Sequence, residues 1–371
     1  MVNKNMKKIR TNLLIILSVL LITGKSGTVN AQSFSFEPSL TWERIDTTKM
    51  PAPRAGFSLT LNETNQVGLF FGGYGYDAGV LNDLWLTDGS QWLELFTPHR
   101  PPERSNSSLV YDKDRQEAVL FGGASSVSGV TAYLDDTWVF NGKDWIEQSA
   151  QVSPSPRADA SIVYDPDHQR IYLFGGSYSL EKDTWKYNDT WAWDGSSWQQ
   201  IQLNNQPSVR DNAAIAHDPV HHNVLLYGGA SIAAPLNDTW IWNGEVWAEQ
   251  QPVHQPGKDR IFEYPQMVFD TNRQQVVMIG SARDFPNPVS YTKTWAWDGQ
   301  DWIELPVAHP LPAELMLNGK LVYLPGMRTV AIVNTFTQKV VNPDGTTLLV
   351  DRSEVWALVN RNYMYIPIVS R

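Results

Sequence analysis

Arginines recur along this chain at the spacing of a repeat: Arg54, Arg104, Arg157, Arg210 and Arg260. A guanidinium presents a planar fork of donors that suits bidentate recognition of carboxylates. A ring of such groups could therefore hold an acidic ligand. The same arginines could instead pair internally, because Asp83, Asp136, Asp189 and Asp238 accompany the first four. Lys293 stands where the fifth aspartate would be. Both readings stay open at this point. A second set consists of aromatics in variable segments: Tyr74, Tyr76, Tyr178, Trp185 and Tyr187. Such rings can anchor a partner or stack on a sugar.

Other chemistry is thinly represented. His217, His221 and His222 have the composition of a metal cluster, but they align with the turn Asp165-Pro-Asp167-His168 and are expected to be polar turn residues. Asp112-x-Asp114 and Asp165-x-Asp167 supply two carboxylates each, short of the six to eight oxygens that calcium takes. No glycine-rich phosphate loop occurs. No cofactor and no metal are expected.

The elements that carry these residues are strands. Trp85/Trp92, Trp138/Trp145, Trp191/Trp198, Trp240/Trp247 and Trp295/Trp302 are pairs seven residues apart. An Asp-Gly or Asn-Gly turn sits inside every pair, the strongest short signal for a hairpin. Upstream lies a second hairpin, such as Ser161–Phe174, ending in a diglycine. Gly72-Gly73, Gly122-Gly123, Gly175-Gly176 and Gly228-Gly229 each begin 18 residues after an arginine. Four short strands in about 50 residues is the mark of a propeller blade.

A diglycine after an apolar strand, then Asn-Asp-x-Trp and a second Trp, resembles the Kelch repeat. The resemblance covers residues 41 to about 360. It implies a six-bladed β-propeller of four-stranded antiparallel blades, with strands a to d running outward from a central channel. It also implies arginines of the kind that eukaryotic Kelch domains use to hold acidic peptides. The sixth repeat is weak: Asn334-Thr335 replaces the diglycine and Met316 the arginine. Trp42 lies 12 residues before Arg54, as Trp92 does before Arg104. It therefore reads as the d-strand tryptophan of the last blade, whose other strands are C-terminal. The rival is a d strand through Tyr363.

The a–b and c–d turns share one face of such a disc. The variable b–c segments and the d–a connections share the other, so ligand contact is expected there, around the channel mouth. The candidates are Arg54, Arg104, Arg157, Arg210, Arg260, Tyr74, Tyr178 and Trp185. Residues 1–31 read as an export signal: a basic start, an apolar run over Leu13–Ile22, and Val29-Asn30-Ala31 as cleavage site. Residues 32–40 are then a linker and 41–371 the propeller, secreted, periplasmic or at the cell surface. Cleavage moves the net charge from −10 to −15, by removing five lysines and arginines and no acid. Such a chain suits neither nucleic acid nor anionic membrane. The expected product is a monomeric binding module for a protein or glycan.

Enzymatic relatives are narrower. Galactose oxidase resembles this architecture but needs a Cys–Tyr cofactor, and the chain has no cysteine. The sialidase Asp-box spacing is missed at Asp194-Gly195. A bacterial sialic-acid mutarotase, also an exported Kelch propeller, is the alternative, with Glu263 or Glu314 as its acid.

Overall fold

The computed structural model describes residues 40–127, 130–149, 151–180, 183–258, 261–283, 290–341 and 347–360. The expected export signal, the linker up to residue 39, Arg260 and Tyr363 lie outside the described residues. Strand β1 spans Leu40–Ile45. Blade 1 follows as β2 (Ser58–Asn62), β3 (Val67–Gly75), β4 (Gly79–Thr87) and β5 (Trp92–Leu95). Blade 2 is β6 (Ser108–Asp112), β7 (Glu117–Val127), β8 (Val130–Phe140) and β9 (Trp145–Gln148).

Blade 3 contains β10 (Ser161–Asp165) and β11 (Arg170–Phe174), then a separate hairpin, β12 (Ser177–Leu180) with β13 (Asp183–Lys186). It resumes with β14 (Thr190–Trp193) and β15 (Trp198–Ile201). Blade 4 is β16 (Ala214–Asp218), β17 (Asn223–Tyr227), β18 (Thr239–Trp242) and β19 (Trp247–Gln250). Blade 5 is β20 (Ile261–Asp270), β21 (Gln275–Arg283), β22 (Ser290–Trp297) and β23 (Trp302–Leu305). The last strands are β24 (Lys320–Leu324), β25 (Thr329–Val341) and β26 (Thr347–Asn360).

Each blade is a four-stranded antiparallel sheet, and the sixth has the order β1-β26-β25-β24. The innermost strands touch their neighbours in cyclic order, with β24 against β2. The molecule is thus a six-bladed β-propeller, closed by its N-terminal strand. Trp42 lies opposite Leu358, and Arg44 opposite Trp356.

Side-chain bonds confirm that Trp42 occupies a d-strand position. Indole N–H groups of d-strand tryptophans donate to a threonine in the c strand of the preceding blade. Trp198 reaches Thr137 at 2.9 Å, Trp247 reaches Thr190 and Trp302 reaches Thr239, both at 3.0 Å. Trp42 reaches Thr294 at 3.3 Å in the same way. Two d-strand tryptophans lack this partner. Trp145 and Trp92 have buried indole nitrogens with no acceptor. Leu84 and Val355 occupy the threonine position in the blades before them. A buried donor left unmade costs about 1–3 kcal/mol. Thr137→Val should therefore lower stability by about 1–2 kcal/mol, read as a shift of the urea midpoint at unchanged slope; an unmoved midpoint contradicts the role assigned to this bond.

On the a–b/c–d face a second latch repeats. Buried Asp112, Asp165 and Asp218 each accept two backbone N–H groups of their own turn. Their carboxylates also hold Arg115, His168 and His221. Those side chains lie over Gly195, Gly244 and Gly299 of the next blade, where any Cβ would collide with them. The Asp-Gly and Asn-Gly turns are thus glycine for two reasons: the positive φ, near 98° at Gly195, and the neighbour above.

Candidate functional site

Arg54, Arg104, Arg157 and Arg210 sit at the start of blades 1 to 4, and their side chains are almost wholly buried. Arg104, Arg157 and Arg210 have no exposed side-chain surface. Arg157 shows the pattern. Its Nε donates to Ser155 O at 2.9 Å, and its Nη1 donates to Gly175 O at 2.9 Å and to Asp189 at 2.6 Å. Its Nη2 donates to the other Asp189 oxygen at 2.9 Å, and the group lies 3.9 Å from the Tyr187 ring centroid. Arg104 and Arg210 repeat this with Asp136 and Asp238, and Arg54 contacts Asp83. Burial pushes the Asp238 carboxyl up, but Arg210 outweighs it and holds the group below its ordinary value.

The aspartates are engaged further. Trp85, Trp138, Trp191 and Trp240 donate their indole N–H to them at 2.6–2.8 Å. Where Lys293 replaces the aspartate, Lys293 turns to Glu304 at 2.6 Å and the buried Trp295 indole nitrogen has no partner. Each Arg–Asp pair lies within one blade. The link between blades is the arginine backbone. Gly73 N donates to Arg104 O at 2.9 Å, and Gly123 N to Arg157 O at 2.8 Å. A Cβ at Gly72 would sit 2.7 Å from Arg104 O. The diglycine and the arginine of the next blade are therefore one structural unit.

Two residues after the arginine, the chain turns into the channel. Gly56, Asn106, Asp159 and Asn212 occupy corresponding positions, all with φ between 51° and 63°. They join by backbone bonds: Asn106 N to Gly56 O at 2.6 Å, Asp159 N to Asn106 O and Asn212 N to Asp159 O at 3.0 Å. Asn106, Asp159 and Asn212, with Gln266 and Lys320, line a cavity of ≈ 170 Å³ at this mouth. Burial pushes the Asp159 carboxyl up to about 6, against the pull of Lys320. Burial lowers the Lys320 ammonium, against the pull of Asp159. Beyond lies a larger cavity of ≈ 860 Å³, walled by apolar a-strand residues such as Leu61, Val110 and Ile162.

The aromatics stand outside this frame. On the β12–β13 hairpin, Tyr178 lies opposite Trp185, with ring centroids 5.8 Å apart. Tyr133 of blade 2 continues the row at 5.0 Å from Tyr178. Trp185 is 47 % exposed, so its ring is presented to solvent. Tyr74 and Tyr76 are also exposed, on the b–c extension of blade 1. The hairpin is tied down at its base, where Lys186 Nζ donates to Asp211 at 2.8 Å and to Ala230 O at 2.9 Å. Tyr133 has no counterpart in the repeat motif that would mark it in the sequence, and its ring contact with Tyr178 crosses blades. Of the two acids considered for sugar chemistry, Glu263 pairs with Arg283 at 2.8 Å, and Glu314 is exposed on a 3-10 turn over Ala313–Met316.

No family model matches the chain. Over 166 residues, 37 % of this chain, it is 32 % identical to an F-box/kelch-repeat protein of Arabidopsis thaliana. Over another 166-residue alignment, 41 % of the chain, it is 30 % identical to the dynein alpha chain of the flagellar outer arm of Chlamydomonas reinhardtii. The chain spans 34 % of the first relative and 3 % of the second. The six blades and the likeness to a kelch-repeat protein together support a Kelch-type propeller.

Proposed function

We propose that this protein is an exported interaction module whose protein partner docks on the b–c/d–a face. The observation that carries the reading is the row Tyr133–Tyr178–Trp185, which runs from blade 2 onto a braced hairpin and ends in the exposed Trp185 ring. Aromatic side chains of this kind dominate the energetics of docking surfaces. The arginines of the same face have their donors turned inward, so their part is to fix the loops that carry the contacts. The net charge of −10 favours neither nucleic acid nor an anionic membrane. Export rests on the basic and apolar N-terminal segment.

The test is a peptide and glycan array probed with the protein, repeated with Trp185→Ala. Loss of one alanine-truncated aromatic anchor should weaken binding by about 2 kcal/mol, roughly thirtyfold. Peptide binding that survives Trp185→Ala and Tyr178→Ala unchanged rejects this face. Binding confined to the glycan arm rejects the protein partner.

A further inference from the structure

We propose that the opposite face carries a site for a divalent transition-metal ion of the zinc type, built by Asp167, His217 and His222 with Asp165 beneath them. The residues come from two blades. Asp165 ends β10 and Asp167 lies in the turn after it. His217 belongs to strand β16, not to the turn that the sequence alignment suggested, while His222 closes the β16–β17 turn with a φ of 53°.

Both imidazoles approach the Asp167 carboxylate. His217 Nε2 lies 3.0 Å from one Asp167 oxygen and 3.7 Å from Asp165 Oδ1. His222 Nδ1 is 3.2 Å from both oxygens of Asp167. An ion bound at about 2.0–2.2 Å holds its adjacent ligand atoms about 3.0–3.5 Å apart. The ligand atoms of Asp165, Asp167 and His217 all fall within 4.8 Å of one another. Asp165 is 1 % exposed and already holds two backbone N–H groups and His168, so it fixes the floor of the site. His222 is 74 % exposed, which leaves a path for the ion.

The donor set selects the ion. Two imidazole nitrogens with a carboxylate suit zinc, nickel or copper. Calcium and magnesium prefer all-oxygen shells. The site would join blade 3 to blade 4 on the face away from the proposed partner.

Calorimetric titration of zinc, nickel, calcium and magnesium chlorides into the full chain, free of any histidine tag, tests the proposal. One zinc per chain should bind, with calcium and magnesium giving no heat of binding. His222→Gln should weaken zinc by at least about tenfold, since even indirect ligand supports are worth 10–100-fold. His217→Gln should do the same. The exposed position of His222 keeps the test usable if His217→Gln does not fold. His254→Asn removes an ordinary surface His–Asp pair and should change nothing. Absence of zinc binding, or zinc binding indifferent to His222→Gln, overturns the site.

Discussion

Replacing Arg157 by alanine is expected to lower the stability of the protein by about 3–5 kcal/mol, the range for stranding one member of a buried ion pair. The Arg157 side chain is fully buried and Asp189 is 19 % exposed. Removing the guanidinium leaves the Asp189 carboxylate with only the Trp191 indole at 2.8 Å. It also strands Gly175 O and Ser155 O, which now accept from the guanidinium. The double variant Arg157→Ala/Asp189→Ala should be less damaging than the two single losses added together, because neither charge is then abandoned. Chemical denaturation of the three variants measures the coupling. A single variant that loses less than about 1 kcal/mol while losing its ligand would make Arg157 a contact residue and not a brace.

The second large effect has the opposite sign. Asp159→Asn should stabilise the protein at neutral pH. The folded carboxyl protonates at about 6, above its ordinary 3.8. Between those values the folded state holds a proton that the unfolded state has lost, so stability falls as pH rises through the window. At about 1.4 kcal/mol per pH unit the loss comes to roughly 3 kcal/mol above pH 6, a ceiling because Asp159 keeps some contact with channel water. Asparagine carries no charge and tolerates the left-handed backbone. Asn106 and Asn212 already hold the corresponding positions in the neighbouring blades. The expected gain is about 1–3 kcal/mol at pH 7.5, shrinking toward zero at pH 4. A gain equal at both pH values would assign the effect to something other than this ionisation.

Much of this architecture was legible because a propeller repeats its local chemistry. The tryptophan pairs, the turns and the diglycines specify strands through short-range rules. Even ring closure was encoded locally, in the 12 residues from Trp42 to Arg54. The sequence left two roles open for the arginines because a guanidinium serves a ligand and an internal aspartate with the same geometry. Only burial separates those roles, and burial depends on the whole blade. The histidines His217 and His222 stood out in the sequence, but their grouping with Asp167 did not, for a related reason. Asp167 and His217 are 50 residues apart, and His222 is five further on. They meet because turns of adjacent blades stack, a relation absent from any one repeat. The Tyr133–Tyr178 contact crosses blades in the same way.

The strand β1 has a kinetic consequence. Its partner, β26, lies 320 residues away where Leu40 meets Asn360. Closing so long a loop carries an entropic cost that grows only as the logarithm of its length, so the finished ring bears it easily. The search for the contact is another matter, since non-local pairing slows folding. Until β26 is made, β1 is an unpaired edge and Trp42 lacks its neighbours. Blades 1 to 5 can assemble by then as an open arc. Zipping of β1 onto β26 is then expected as the last cooperative event, and amide exchange along Leu40–Ile45 should report the arc reopening before any interior blade comes apart.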